Sequence, residues 1–306
     1  MWRYEDSRAA IRDALRLSRA MTYKSAVAGL PLGGGKGVIM LPAAIDARSR
    51  KAALRDFGDT IESLRGEYVT AEDVGTSAKD METIAEQTKH VTGLSRRRGG
   101  SGDPSPWTAV GVEAAIRASL ERKLGDPSPK GRTIVVSGLG HVGAALAKLL
   151  AKAGAKLVLA DIDRSKKALA EQLGARWVTP AKALTASADV FAPCALGGVL
   201  DHETVPALQV PIVAGAANNQ LADDTMADLL AERGILWAPD FAANAGGIIN
   251  IAVELGRGGY DAERARRQVT GIGDTLRQIY DDAQAEADTP LRAALTLAQR
   301  RLDEAR

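Results

Sequence analysis

Thr133-Ile134-Val135-Val136-Ser137-Gly138-Leu139-Gly140-His141-Val142-Gly143 decides the fold. Its first four residues are β-branched and, with Ser137, read as a short buried strand. The next six fit G-x-G-x-x-G and open onto Val142 to Ala153, whose apolar spacing reads as a helix. Leu157-Val158-Leu159-Ala160 reads as a second strand, and Asp161 ends it about 20 residues beyond the first glycine. Strand, glycine turn, helix, strand and acid in that order form a dinucleotide-binding fingerprint. Gly138 permits the tight turn, Gly140 lets backbone approach a pyrophosphate, and Gly143 allows helix and strand to pack closely. The helix start offers unpaired N–H groups to the phosphates. Leu139, His141 and Val142 complete the cofactor-binding stretch, although His141 taken alone reads as a surface residue. Asp161 can accept hydrogen bonds from ribose hydroxyls and repels a 2′-phosphate. NAD is therefore favoured over NADP, which Arg164 keeps open as the alternative.

Working outward, Val190-Phe191-Ala192, Val210-Pro211-Ile212-Val213 and Leu236-Trp237-Ala238 are further apolar segments between helical stretches. Strands alternating with helices imply a parallel sheet covered on both faces. From about Ala262 onward the chain reads as charged helix. Upstream, Arg96 to Pro106 reads as a loop or hinge, and a helix follows from near Thr108 to near Leu124. In the first part, Asp6 and Ser7 precede Ile11, Ala14, Leu15 and Met21, a capped amphipathic helix. Val38-Ile39-Met40-Leu41 and Tyr68-Val69-Thr70 read as short strands on either side of a helix through Leu54, Phe57, Ile61 and Leu64.

Composition sets the bounds. The chain has 306 residues, enough for about two domains and a large core without staples. Lys+Arg number 40 against Asp+Glu 38, a net charge of +2, so there is no electrostatic case for nucleic acid or an anionic membrane. One cysteine, Cys194, excludes an intrachain disulfide and fits a reducing, cytoplasmic setting. With three histidines and that one cysteine, no metal site is expected. No apolar signal core opens the chain and no uncharged apolar run reaches roughly 18 residues.

Gly33-Gly34-Gly35-Lys36 invites comparison with a phosphate loop and fails it: Leu30 stands where the first glycine belongs, and Gly37 replaces the Ser/Thr that would hold magnesium. Glycines there would let backbone touch a small ligand. A lysine in such a tight loop has its charged form disfavoured by desolvation, and a second lysine, Lys24, would push the same way. A lysine so tuned can serve as a base near neutral pH. Two ordinary solvated lysines are the plain alternative.

Met21-Thr22-Tyr23-Lys24, Pro31-Leu32-Gly33-Gly34-Gly35-Lys36 and Thr70-Ala71-Glu72-Asp73-Val74-Gly75-Thr76 resemble the substrate-domain motifs of the glutamate/leucine/phenylalanine/valine dehydrogenase family. The resemblance continues through Gly102-Asp103-Pro104-Ser105-Pro106 with Thr108, Phe191-Ala192-Pro193-Cys194-Ala195, Ala217-Asn218-Asn219-Gln220 and Ala238-Pro239-Asp240 to Asn244-Ala245-Gly246-Gly247. It is collinear over nearly the whole chain, and strongest to the leucine branch, then the phenylalanine branch. The resemblance implies NAD-dependent oxidative deamination of an L-amino acid. Lys24 would bind the substrate carboxylate, Lys36 would activate water and polarise the carbonyl, and Asp73 would exchange protons with the amine. Met21, Gly33 and Gly34 would line the substrate site. Thr108 would hold the nicotinamide carboxamide, Asn219 the nicotinamide end of the complex, and Ala195 and Asn244 would lie beside them. Cys194 becomes a packing residue.

The resemblance also places Ala71, Ile248 and Ile251 around the substrate side chain. Two isoleucines narrow that space, which favours a branched aliphatic side chain over an aromatic ring. One methylene is worth only ~1–3 kcal/mol of discrimination, so phenylalanine or another aromatic amino acid stays as the alternative. The resemblance implies about forty further residues ahead of the segment that opens this chain, so that either the start is assigned too late, which the intact Lys24, Lys36 and Asp73 favour, or the chain is a truncated member. A shortened, non-catalytic NAD- or amino-acid-binding protein is the reading from another class. The expected architecture is α/β with two domains and a cleft between them. A substrate domain would cover 1–107, a doubly wound NAD domain 108–285, and a C-terminal helix, 286–306, would return to the substrate domain. A homo-oligomer is expected.

Overall fold

The computed structural model describes residues 1–256 and 258–305. The chain divides into two compact units: Met1–Ala26 with Leu30–Pro104 and Ile248–Ala265, and Val27–Gly29 with Ser105–Gly247 and Arg266–Arg306.

The second unit is built on six parallel strands: β1 (Thr133–Ser137), β2 (Lys156–Ala160), β3 (Arg176–Val178), β4 (Val190–Pro193), β5 (Ile212–Val213) and β6 (Leu236–Trp237). Their order is β3-β2-β1-β4-β5-β6, the doubly wound arrangement that the fingerprint implies. Register is set by apolar runs that are buried on both faces: Ile134, Val135 and Val136 lie opposite Leu157, Val158 and Leu159 on one side and Val190, Phe191 and Ala192 on the other. β3 was not anticipated. It is a three-residue edge strand headed by Arg176, paired among the described residues with β2. The chain reverses its order beside β1, so the loops after β1 and β4 face one crevice at their carboxyl ends.

The C-terminal helix Pro290–Glu304 belongs to this second unit. Leu291, Ala294, Leu297 and Ala298 bury one face of it, and Leu291 joins the core beneath the sheet. Near its end, Arg301 donates to the carbonyl of Val27. The division thus differs from the sequence-drawn boundaries: residues 248–265 go with the first unit, and residues 27–29, residues 105–107 and the last helix go with the second.

The first unit includes the helices Ser7–Val27, Ala47–Ser63 and Ala78–Ile84 and most of the helix Gly246–Glu254. Its core is Leu54, Ile61, Met81, Ile84 and Val91, with Ile39, Phe57 and Tyr68 against them. The two stretches expected as strands are extended but make single parallel bridges, Trp2 with Met40 and Thr70 with Val91. Residues 39–41 pair with Trp2 alone among the described residues, through Trp2 N to Ile39 O and Leu41 N to Trp2 O. The leading helix starts as expected, with the Asp6 carboxylate accepting from Ala9 N at 2.7 Å. Its expected apolar face is only partly turned inward: Ala14 and Met21 are half buried, as are Asp13, Ser18 and Thr22, whereas Ile11 and Leu15 are 60% and 67% exposed. Among the described residues no helix is long and apolar enough to cross a membrane.

Candidate functional site

In the second unit the glycine turn does what its spacing implies. Gly138 has φ +99°, and a Cβ there would stand 2.7 Å from Ala195 N, so β1 can leave the sheet only through glycine. A Cβ on Gly143 would overlap the Gly138 carbonyl, so the helix His141–Lys152 can seat on the turn only there. Gly140 differs: nothing lies within 4 Å of its missing side chain. Open space over an exposed backbone at a helix start is the cradle a pyrophosphate needs. Asp161 ends β2 and reaches back to that turn, its Oδ2 accepting from Leu139 N at 2.5 Å and its Oδ1 from Asp163 N at 2.8 Å. The carboxylate is thereby fixed with lone pairs to spare for ribose hydroxyls.

The other end of the crevice is equally ordered. Asn219 is in the left-handed region at φ +50°, a conformation asparagine tolerates better than most residues. Its carbonyl accepts from Gly198 N, and the Gln220 carbonyl from Leu200 N, which ties the loop after β4 to residues 219–220. Asn244 Nδ2 donates to Ala216 O and to Asn218 Oδ1 at 3.1 and 2.8 Å. Its Oδ1 is buried and has no protein partner. An orphaned buried acceptor beside the mouth of the sheet suits a donor from a ligand, such as a carboxamide N–H₂. Thr108 stands in the first turn of the helix Ser105–Leu124. These observations fit NAD. Cys194 is a packing residue, since burial pushes its thiol up to about 12 and leaves it unreactive.

In the first unit the structure brings Lys36 and Asp73 together: Lys36 Nζ donates directly to Asp73 Oδ2. Lys36 is mostly buried and Asp73 half exposed, 19% and 54% of their side chains reaching the surface. Burial pulls the Lys36 ammonium below its ordinary range, while the negative charge of Asp13 opposes the shift. Asp73 is held by its own turn, in which Asp73 N donates to Thr76 Oγ1 at 3.0 Å and Thr76 N donates to Asp73 O at 2.9 Å. A desolvated amine in contact with a partly exposed carboxylate is placed to pass protons to and from a small ligand.

Most glycines before Lys36 serve packing. A Cβ on Gly34 would overlap Thr22 Oγ1 and the Ser18 carbonyl, and Ser18 Oγ donates to Gly34 O at 2.5 Å. Gly35 and Gly37 lie against Tyr68 and Phe57, and Tyr68 Oη accepts from Gly37 N at 2.9 Å. Gly33 alone faces open space. Gly34, named for the pocket from the sequence, therefore turns its missing side chain into the leading helix. Met21 and Lys24, three residues apart on that helix, share a half-buried face. Ala71, Ile248 and Ile251 are each half buried.

Two groups near this pair escaped the sequence reading. Asp13 accepts from Tyr4 Oη at 2.6 Å and from Arg16, and its carboxyl is held below the usual range chiefly by the Tyr4 bond and then by Arg16. Burial, and then Asp13, push the Tyr4 hydroxyl up to about 12. The one available signal was an acid on the inward side of a helix otherwise read from its apolar residues.

A six-stranded parallel sheet of this order, an open glycine over a helix start and an acid-ended β2 define a doubly wound dinucleotide-binding domain. Residues 2–90 match the family described as Glu/Leu/Phe/Val dehydrogenase, dimerisation domain, and residues 159–306 match Glutamate/Leucine/Phenylalanine/Valine dehydrogenase. Residues 112–198 also match an NAD binding domain described for D-isomer specific 2-hydroxyacid dehydrogenases. The chain is 44% identical to the leucine dehydrogenase of Thermoactinomyces intermedius, over 99% of this chain and 82% of that one. It is likewise 44% identical to that of Bacillus subtilis, over 100% and 83%. The crystal structure of L-tryptophan dehydrogenase from Nostoc punctiforme superposes with TM-score 0.85 at 39% identity, covering 99% of this chain and 86% of that one. The chain belongs to the Glu/Leu/Phe/Val dehydrogenase family, and its reaction is the NAD-dependent oxidative deamination of an L-amino acid.

Proposed function

We propose that the substrate is a branched-chain aliphatic L-amino acid, converted to its 2-oxo acid and ammonia in the cytoplasm. The observation that carries the catalytic half of this reading is the buried Lys36 in contact with Asp73. Lys24 fixes the substrate carboxylate as a cation, and Asp73 takes a proton from the substrate ammonium so that the amine is free. Residues 138–143, Asp161, Ala195, Thr108, Asn219 and Asn244 would hold NAD, which would supply the acceptor for the hydride leaving the α-carbon. Lys36, as neutral amine, then takes a proton from the water that adds to the iminium carbon. Asp73 returns its proton to the nitrogen, the C–N bond breaks and ammonia leaves, and the hydroxyl proton passes to the freed Asp73 carboxylate as the carbonyl forms; Lys36 and Asp73 then release their protons to solvent. Met21 and Gly33 bound the substrate's polar end, Gly34 seats the loop on the leading helix, and Ala71, Ile248 and Ile251 bound the substrate side chain. The half-buried isoleucines and the leucine dehydrogenase relatives support an aliphatic substrate. The fold similarity to a tryptophan dehydrogenase supports an aromatic one as second reading.

A second copy of the chain is the proposed partner. Trp2, Ile11, Leu15 and Met40 are exposed large apolar residues of the first unit, the part matched by a dimerisation domain.

The deciding assay follows reduced-cofactor absorbance with NAD and each of leucine, valine, isoleucine, phenylalanine and tryptophan. Turnover should be fastest with an aliphatic substrate. Preference for tryptophan or phenylalanine would move the assignment to the aromatic reading, and no turnover on any would refute both. Lys36→Ala should lower kcat by about 10³-fold with NAD binding retained, the size expected for a lost general base.

A further inference from the structure

We infer that Glu254 is a positioning residue for substrate choice: by accepting the backbone N–H groups of Gly93 and Ser101 on one carboxylate oxygen, it ties the Ala71 side of the substrate pocket to the helix that carries Ile248 and Ile251. The inference rests on the pocket proposed above.

Glu254 is the last residue of the helix Gly246–Glu254. That is an unfavourable place for a negative charge, which faces the negative end of the helix dipole. Its Oε2 accepts from Gly93 N at 3.1 Å and Ser101 N at 2.9 Å, both partly buried. Two charge-assisted bonds to backbone compensate the site.

The loop so held is closed on itself. Gly102 N donates to Leu94 O at 3.1 Å, Arg98 N and Gly100 N donate to Ser95 O, and a Cβ on Gly100 would overlap the Leu94 carbonyl. Both ends of a compact ring therefore meet at one oxygen. The ring's leading end is in turn bonded to the segment before Asp73. Thr70 N donates to His90 O at 3.0 Å, and Thr92 donates to Thr70 O from its N at 2.8 Å and from its hydroxyl at 3.0 Å. Ala71 is the next residue. A displacement of Gly93 is transmitted through Thr92 and Thr70 to Ala71.

On the helix side, Ile251 and Ile248 lie three and six residues before Glu254. Asn250, one turn before it and fully buried, accepts from Tyr260 Oη at 2.7 Å. The Arg96 guanidinium lies 5.9 Å from the Tyr260 ring centroid, a second and weaker tie between the ring and this segment. Glu254 joins ring and helix directly, through two hydrogen bonds to its carboxylate. Without it, the tie between Ala71 and the two isoleucines loses these two direct hydrogen bonds.

The test compares kcat/KM for leucine with kcat/KM for phenylalanine in wild type, Glu254→Ala and Glu254→Gln, with thermal melting confirming that each is folded. Glu254→Ala should raise KM for leucine and shrink the leucine-to-phenylalanine ratio at least fivefold, while KM for NAD stays within twofold. Glu254→Gln keeps an acceptor oxygen and should recover most of the ratio. A Glu254→Ala protein whose ratio stays within twofold of wild type overturns the inference, as does a Glu254→Gln protein as impaired as Glu254→Ala. Should Glu254→Ala fail to fold, Glu254→Asp, one methylene too short to reach both donors, reads the same ratio with the same two outcomes. Wild-type turnover on leucine and phenylalanine is measured first. Its absence refutes the pocket reading, and this inference with it, before any variant is compared.

Discussion

The protein has two glycine-rich loops, and they use glycine differently. In residues 138–143 two glycines remove a clash between backbone and backbone, and the middle one, Gly140, leaves room for a ligand. In residues 33–37 three glycines make room for the protein's own helix and aromatic rings, and only the first, Gly33, is open. The first loop is a self-contained turn whose partners lie on adjacent strands. The second is a seat for Lys36, shaped by Ser18 and Thr22 of the leading helix, Tyr68 and Phe57. A count of glycines treats the two alike; the space beside each one separates them.

The strongest way to break this comparison is within the second loop. Gly34→Ala forces a Cβ into the Ser18 carbonyl and to 2.5 Å from Thr22 N, both backbone atoms that cannot rotate away. The loop must move, and Lys36 with it. Misplacement of a catalytic group by about 1 Å costs on the order of 10²-fold, so kcat should fall by about that factor with NAD affinity unchanged. Gly33→Ala meets nothing within 4 Å, so its effect should be confined to KM for the amino acid. Equal losses of kcat in the two variants would show that the loop's glycines are not divided in this way.

The same contrast applies to the dinucleotide loop at a smaller scale. Gly143→Ala should destabilise the second unit by ~1–3 kcal/mol, as overpacking does, and lower the melting temperature together with NAD affinity. Gly140→Ala should leave melting unchanged and weaken NAD alone. Asp161→Asn keeps an acceptor for Leu139 N but loses the charge that strengthens ribose bonds. It should weaken NAD by about tenfold and narrow the preference over NADP, read from KM for each cofactor. An unchanged ratio would remove Asp161 from cofactor choice.

These differences also explain what could be read without coordinates. The fingerprint was legible because its partners are fixed by the order strand, turn, helix, strand, so Gly138 necessarily meets the end of β4 and Asp161 the turn. The Lys36 loop was recognisable as a motif, but not its mechanics, because Gly34 is shaped by Ser18 and Thr22 through tertiary packing. The same holds at longer range for Glu254, whose partner Gly93 is 161 residues away. Ile11 and Leu15 misled because helical periodicity marks an apolar stripe and not what covers it. β3 was missed because three residues headed by arginine at a sheet edge carry neither alternation nor an apolar run.

The smallest expected effect tests how the second loop tunes its lysine. Lys36 is flanked by Asp73 on its own side and by Asp13 on the leading helix, where Tyr4 and Arg16 bind the Asp13 carboxylate. Burial lowers the lysine, and Asp13 holds it up. Asp13→Asn removes that negative charge and keeps an oxygen to accept from Tyr4. The Lys36 ammonium then loses a stabilising neighbour and titrates lower still. As a base, Lys36 works in its neutral form, so activity rises with pH through its titration. The acid limb of the kcat/KM profile should therefore move to lower pH in Asp13→Asn, with the plateau little changed. A limb that stays in place would assign it to a group that does not sense Asp13. A limb that moves upward would reverse the sign of the interaction and remove Lys36 as the base that sets it.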